Sequence, residues 1–186
     1  MAKVIAGTTM SLDGYITDPA GSLDPLYPDF EAMLASEPMK EAIRDTGAVV
    51  MGRNAFAMAE DPNSYAVDYE FQVPIFVLAH AVPDRKPKEA GTLSFTFVTD
   101  GIESAVRQAK AAAGDRDVQV IGGASTVRQC LAAGLADELQ IDIMPVLLGG
   151  GLRMFEPMEA GPVRLERLRV VEHPSGRTGL VFRVLK

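Results

Sequence analysis

Short β-branched and apolar runs recur along this chain, and several end at glycine. Lys3–Thr9, Ala48–Met51, Pro74–Leu78 and Thr92–Val98 each predict a strand. Val118, Val120 and Ile121 form a fifth run that stops at Gly122-Gly123. Leu139, Ile141 and Ile143 alternate with Gln140, Asp142 and Met144, the period of a half-buried sixth strand. Between these runs the spacing becomes helical. Phe30–Ala35 can form one short helix. Ser36 can cap the next, with Pro38 in its first turn, Ile43 facing inward and Gly47 at its end. Ala55–Ala59 carries a helical pattern too. Gly101–Ala113 follows, with Ile102, Ala105, Val106 and Ala109 on one face and Asp100 as its cap. Ala124-Ser125-Thr126 opens another helix, with Val127, Cys130 and Leu131 on one face and Gly134 as its C-cap.

Pro162–Val171 and Gly179–Leu185 predict a closing hairpin, joined through Pro174, Ser175 and Gly176. Asp18–Asp29, with Pro19, Gly21, Pro25 and Pro28, is irregular, and Glu60–Val73 reads as a polar loop. Strands that alternate with helices predict an α/β fold. Its sheet is mostly parallel, with helices on both faces and a C-terminal antiparallel hairpin. The 186 residues suffice for one domain with a full core, so residues 1–186 are expected to form a single domain.

Charge and composition narrow the function. A net charge of −7 with no basic stretch argues against a nucleic-acid partner. No apolar run approaches the ~20 residues of a membrane span. The N-terminus, MAKVIAGTTM, lacks the apolar core of a signal peptide, so no membrane and a cytoplasmic location are expected. Cys130 is the sole cysteine, which excludes an internal disulfide, and its place on an apolar helix face predicts a packed thiol. With only His80 and His173 beside it, no His/Cys metal cluster can form, and no metal is expected.

The candidate chemistry sits where strands end. Gly122-Gly123 between a strand and a helix lets a ligand approach the backbone, while unpaired N–H groups of the helix N-terminus point outward. That arrangement suits an anion. Gly52-Arg53-Asn54 is a second such junction, with an arginine that either binds phosphate or lies on the surface in a solvated ion pair. Ala79-His80 ends a third strand. In a parallel sheet these ends converge on one crevice, the usual ligand site. The G-x-G-x-x-G and P-loop patterns are absent. The segment Ser11–Ile16 either covers a ligand or packs on the core, since Leu12, Tyr15 and Ile16 are too apolar for a solvated loop.

Ser11-Leu12-Asp13-Gly14-Tyr15-Ile16, Val50-Met51-Gly52-Arg53, Gly122-Gly123-Ala124-Ser125, Gly134–Leu139 and Pro145–Gly151 follow one another in an order and spacing that resembles the dihydrofolate-reductase-like superfamily. The nearer branch is that of the reductase domain of the riboflavin-biosynthesis deaminase-reductase. The resemblance implies a nicotinamide-dependent reductase, usually using NADPH, with NADH also open. It makes Gly14, Gly52, Arg53, Asn54, Ala79, His80, Gly122, Gly123, Ala124, Ser125 and Thr126 cofactor candidates. The Leu12–Tyr15 loop would lie over the nicotinamide. Asp13, Asp29 and Glu31 are proton-donor candidates by position, and Tyr15 could orient substrate. A homodimer is a further implication, with the run Met144–Leu148 readable as interface or as core.

The chain also departs from the pattern. Ala55 stands where family members often have threonine, and Leu78-Ala79-His80 where many have a threonine or serine. Ile121 replaces the glutamate common before the double glycine in the riboflavin enzymes. Glu60-Asp61-Pro62 is present, but Asn63–Gln72 lacks the arginine that would meet a substrate phosphate. The expected function is therefore NAD(P)H-dependent reduction of a small pterin- or pyrimidine-like heterocycle. The alternatives are 5-amino-6-(5-phosphoribosylamino)uracil reduction, and a non-catalytic nucleotide-binding or interaction domain on the same fold.

Overall fold

A computed structural model describes residues 2–59, 61–157, 161–173 and 175–186. Glu60 of the expected loop and Pro174 of the expected turn lie outside them. Eight strands form one sheet: β1 (Val4–Ser11), β2 (Thr46–Gly52), β3 (Ile75–Leu78), β4 (Phe95–Val98), β5 (Asp117–Ile121), β6 (Glu138–Met144), β7 (Arg164–Glu172) and β8 (Thr178–Leu185). Their order is β4-β3-β2-β5-β1-β6-β8-β7. The first six positions in that order are parallel, and β8 runs antiparallel to both of its neighbours. The α/β architecture with a C-terminal antiparallel hairpin is the one the sequence predicts.

Among the described residues six helices accompany the sheet: α1 (Phe30–Leu34), α2 (Glu37–Asp45), α3 (Arg53–Phe56), α4 (Tyr65–Asp68), α5 (Ile102–Ala113) and α6 (Ala124–Ala132). Alternation along the central strands sends side chains to both faces. Val4, Ala6, Ala48, Val50, Val118 and Val120 are buried with Ala105 and Ala109 of α5 and with Val127 and Cys130 of α6. Val49, Met51, Ile75 and Val77 face the other way, against Phe56, Tyr65, Phe71 and Phe95. Each such buried aliphatic side chain contributes about 1.5–3 kcal/mol relative to exposure. Burial pushes the Cys130 thiol up to about 12, so it is a packed, inert group.

Several local expectations change. Glu60–Val73 is not a polar loop: a 3-10 turn (Pro62–Ser64) and α4 carry Tyr65 into the core, and Phe71 and Val73 follow it. Tyr65 stacks on Phe56 with ring centroids 5.2 Å apart, and its hydroxyl donates to the Phe56 carbonyl at 3.2 Å. Spread-out aromatics of this kind leave no periodic signal. The helix after β2 begins at Arg53 and ends at Phe56, a shorter and earlier turn than Ala55–Ala59. Asp100 does not cap α5, whose N-cap is Gly101 with no side-chain hydrogen bond. Ser36 does cap α2, accepting from the Met39 N–H at 3.4 Å. Gly134 closes α6 in a Schellman motif: Leu135 N–H donates to the Cys130 carbonyl and Gly134 N–H to that of Leu131, each at 3.0 Å.

Gly47 does not end a helix. It lies inside β2, where an added Cβ would stand 2.7 Å from the Ala113 carbonyl oxygen and 2.8 Å from the Ala113 Cα. The strand and the end of α5 meet backbone to backbone there. Gly47→Ala should therefore cost about 1–3 kcal/mol, the range for overpacking. A urea titration should show a lowered midpoint with unchanged slope.

Candidate active site

Two concavities open on the carboxyl-terminal side of the parallel strands. The first, of about 270 Å3, is lined by Gly52, Arg53 and Asn54 after β2, Leu78, Ala79 and His80 after β3, Thr99 and Gly101 after β4, and Gly123, Ser125, Thr126 and Gln129 after β5. Both α5 and α6 start at this pocket; in the first turn of α6 the Thr126 N–H donates to the Gly123 carbonyl at 3.0 Å, and the helix-start N–H groups before it have no acceptor one turn back. Among the described residues Arg53 is its one cation, His80 also lines it, and no carboxylate does. Arg53 is exposed, with no ion-pair partner among the described residues. Eight of the eleven sequence-selected cofactor candidates line this pocket. The other three lie elsewhere. Ala124 is buried in the core, Gly14 belongs to the loop after β1, and Gly122 stands at the junction behind the pocket.

The junctions need glycine for different reasons than flexibility alone. A Cβ at Gly52 would lie 2.4 Å from Thr126 Oγ1, and one at Gly122 would lie 2.3 Å from the Ala55 Cβ. Gly122 also adopts φ +96°, which side-chain-bearing residues rarely do. The missing side chains let α3 and α6 close on each other across the ends of β2 and β5.

The second concavity is a cleft of about 740 Å3 over the other face of β1, β5 and β6, roofed by the segment Leu23–Met39 and by Glu70-Phe71. Register places its floor. Ile5 pairs with Gln119, Gly7 with Ile121 and Gln140, and Thr9 with Asp142, so these positions share one face. Its walls are apolar, with Phe30, Met33, Met39 and Phe71, and its acidic groups are Asp24, Glu70 and Asp142. Burial raises the carboxyls of both Glu70 and Asp142 above their usual range, although Arg177 pulls Asp142 back. Burial likewise raises the Tyr27 hydroxyl, which lines the same cleft.

One side of the cleft rests on a buried ion cluster. Arg177 is only 1% exposed. Its guanidinium donates to Asp29 Oδ1 at 2.6 Å and Oδ2 at 3.2 Å, to Thr9 Oγ1 at 3.0 Å and to the Leu26 carbonyl at 3.1 Å. Asp142 Oδ2 stands 3.5 Å away on the cleft side. The Tyr27 ring covers the guanidinium at 5.4 Å. Arg177 thus ties β8 to β1, to β6 and to the 3-10 turn Asp24–Leu26.

The residues picked for proton transfer fall outside the cleft lining. Asp29 is occupied by Arg177, which lowers its carboxyl to about 2. Asp13 accepts from Ser11 Oγ at 2.6 Å and from the Gly149 and Leu148 N–H groups at 2.8 and 3.1 Å, and it too is lowered to about 2. Both are held ionised, which suits anchoring rather than proton donation. Glu31 is exposed on α1. Tyr15 lies under the Arg153 guanidinium at 4.8 Å. The Ser11–Ile16 loop is therefore a clasp between β1 and the Val146–Arg153 segment, with Ile16 in the core and Leu12 exposed. Within Met144–Leu148, Met144 is buried and Leu147 exposed, so the run is part core and part surface.

Sequence reasoning overlooked Glu70, Gln119, Gln140, Asp142 and Arg177. One signal was present. Strands in the middle of a parallel sheet are apolar on both faces, so Thr9, Gln119, Gln140 and Asp142 on central strands mark a face that something other than a helix covers. Arg177, in a Ser-Gly-Arg-Thr turn, gives no such signal.

Residues 2–182 match the family described as the RibD C-terminal domain. The chain belongs to that family. This RibD C-terminal domain is 25% identical over 184 residues to the uncharacterized protein YyaP of Bacillus subtilis, covering 97% of this chain and 94% of that one. It is 26% identical to a Shewanella sp. PV-4 protein provisionally named as a riboflavin biosynthesis protein. That crystal structure superposes with a TM-score of 0.74 over 99% of both chains. Dihydrofolate reductase from Enterococcus faecalis, solved with NADP(H), is 15% identical and shares the fold, with a TM-score of 0.64 over 99% of this chain and 97% of that one. The domain thus has the fold of riboflavin-type and dihydrofolate reductases.

Asp29→Ala would leave the buried Arg177 with Asp142 alone. A cost of about 3 kcal/mol is expected, the lower end for breaking a buried pair because one carboxylate remains. The carboxyl of Asp29 is lower in the folded than in the unfolded chain, where it titrates near about 3.9. Its contribution is therefore present in full above that value and is lost as the pH falls through about 2. Urea titrations of both proteins should show the difference between them shrinking below about pH 4.

Proposed function

We propose that this protein is an NAD(P)H-dependent reductase of a small pterin- or pyrimidine-like heterocycle. Adjacency at the end of β5 carries this reading. Ile121 lines the acidic cleft, and Gly123, two residues on, lines the cation-bearing pocket. A hydride donor held in one and an acceptor held in the other would meet where the two lie side by side, as transfer requires.

The pocket fits a dinucleotide phosphate. Arg53, Ser125, Thr126 and the first turn of α6 supply donors, and the side-chain-free Gly52 and Gly122 let the helices close behind them. Arg53 and His80 are the groups that would favour the extra phosphate of NADPH over NADH. A bound reduced nicotinamide supplies the hydride. The chain supplies placement, exclusion of water and a proton. Phe30, Met33, Met39 and Phe71 make an apolar wall for a flat ring, and Gln119 and Gln140 offer paired donors and acceptors on the floor. Asp142 and Glu70, whose burial lets them keep a proton closer to neutral pH, take the proton-handling role in place of Asp13, Asp29 and Glu31. This reading carries with it the cytoplasmic location expected from the sequence and the homodimer that the family resemblance implies.

Family membership favours a second reading, 5-amino-6-(5-phosphoribosylamino)uracil reduction. Against it, the described residues lining the cleft include no Lys, Arg or His to meet that phosphate.

Calorimetric titration with NADPH and NADH tests the first reading, and absence of binding to either at millimolar concentration would overturn it. Arg53→Ala should weaken NADPH binding by about 1.5–3 kcal/mol, the value of a hydrogen bond to a charged group. Unchanged affinity would mean that Arg53 is a solvated surface residue. Cofactor binding without oxidation by any pterin or pyrimidine acceptor would instead favour a non-catalytic nucleotide-binding domain.

A further inference from the structure

Tyr27 brings a phenol to the cleft beside the buried Arg177. It follows the 3-10 turn Asp24–Leu26, and its N–H donates to the Asp24 carbonyl at 3.2 Å. Its ring lies over the Arg177 guanidinium at 5.4 Å and meets the Phe30 ring edge to face, with centroids 6.2 Å apart. These two contacts fix the ring. The hydroxyl reaches the cleft: Tyr27 lines it, and Asp142 on the floor and Glu70 on the roof both act on the phenol through their charge.

The hydrogen bonds that lead from Arg177 to this phenol have a direction. A guanidinium only donates. Arg177 Nη1 donates to Thr9 Oγ1 at 3.0 Å, so one lone pair of that hydroxyl is taken. Thr9 is 6% exposed, and its hydroxyl also hydrogen-bonds Tyr27. With its oxygen turned to the cation, Thr9 has its single proton left for the phenol oxygen. Tyr27 then receives one hydrogen bond and keeps its own O–H for the cleft. Burial raises the Tyr27 hydroxyl above its usual range, so the phenol holds that proton at neutral pH.

We propose that Tyr27 donates its O–H to a ring carbonyl oxygen of the molecule bound in the cleft, and so selects oxo-heterocycles over their amino counterparts. The proposal rests on the reductase reading of the adjacent pocket and assigns that enzyme a specificity-determining residue. Each donor in the series Arg177, Thr9, Tyr27 polarises the next, and such chains strengthen their last bond. A site built to donate a hydrogen bond rejects an analogue without the acceptor, because the donor is left unpaired. The same bond serves the reaction. When a ring carbon conjugated with that carbonyl accepts hydride from the reduced nicotinamide, the new C–H bond forms as the π pair moves to the carbonyl oxygen. The nicotinamide is oxidised and the ring is reduced by the same electron pair. Tyr27 meets the charge that develops on the oxygen, and a proton from the cleft carboxyl groups completes the reduction.

Lumazine and 2,4-diaminopteridine share one bicyclic ring and differ in carrying carbonyl oxygens or amino groups at the same two positions. Calorimetric titration of both into wild type and Tyr27→Phe tests the proposal. The variant keeps the ring over Arg177 and loses only the hydroxyl, so a merely structural role for Tyr27 leaves both affinities alone. Lumazine should bind wild type saturably below millimolar concentration. Tyr27→Phe should weaken lumazine by about fivefold or more and change 2,4-diaminopteridine by less than about twofold, as one lost hydrogen bond requires. Thr9→Val interrupts the chain while the phenol stays. It should weaken lumazine by about twofold or more in wild type and have no effect in the Tyr27→Phe background. No saturable binding of lumazine to wild type would overturn the proposal, as would equal losses for the two pteridines in Tyr27→Phe. An equal Thr9→Val loss in both backgrounds would overturn the ordered chain. If Thr9→Val does not fold, the two pteridines on Tyr27→Phe decide the donor role by themselves.

NADPH is titrated in parallel, and Tyr27→Phe should leave its affinity unchanged, since other residues line the pocket proposed for it. If NADPH binds and the lumazine results fail, the role of Tyr27 is wrong and the reductase reading stands. If neither NADPH nor NADH binds while the lumazine results hold, the reductase reading is wrong and the donor role of Tyr27 stands.

Discussion

Two strand ends without side chains hold the carboxyl-terminal side of β2 and β5 together. At Gly52 and Gly122 the backbone of one junction touches the first helix turn of the other: Thr126 of α6 fills the space over Gly52, and Ala55 of α3 fills the space over Gly122. Neither contact tolerates a Cβ. The junctions therefore set the distance between β2 and β5 at their carboxyl ends and the approach of α3 to α6. They also fix where the N–H groups of the α6 N-terminus point. The cation-bearing pocket is a by-product of that close approach rather than a separate device.

The opposite side of the sheet is organised by a buried charge. Arg177 reaches from β8 across β6 and β1 to the 3-10 turn Asp24–Leu26, and its hydrogen bonds to Asp29, Thr9 and the Leu26 carbonyl fix the roof of the cleft to its floor. A buried guanidinium is costly to desolvate, so its surroundings must satisfy it. Here that demand recruits Asp29 completely and Asp142 in part. Asp29 is held ionised by the guanidinium, while Asp142 keeps one side toward the cleft, where burial raises its carboxyl. Asp13 is likewise held ionised, by Ser11 and by its clasp on Gly149 and Leu148.

Most of the sheet was legible along the chain, because buried strands must be apolar and must stop where the backbone turns. The runs at Ala48–Met51, Pro74–Leu78 and Val118–Ile121 became β2, β3 and β5 with small shifts at their ends. The strand–glycine–helix junctions that line the pocket were legible for the same local reason, since strand, glycine and helix N-terminus are contiguous in sequence. The segment after α3 was misread. Its core residues, Tyr65, Phe71 and Val73, are irregularly spaced, and a 3-10 turn and one turn of helix generate no period to detect.

What the sequence determined by itself was therefore local: where strands and helices form, which strand ends turn through glycine into a helix, and that Ser36 and Gly134 bound their helices. Tertiary structure alone decided which polar side chains face one another. Thr9, Gln119, Gln140 and Asp142 come from three strands distant in sequence and meet only because β5, β1 and β6 lie side by side in register. Glu70 joins them from the segment after α4, and Arg177 supports them from the far end of the chain. A carboxylate's role depends on which charge and how much water surround it, and neither is a property of its neighbours along the chain. That is why the proton-donor candidates read from position were Asp13, Asp29 and Glu31, and why the acids that line the cleft are others.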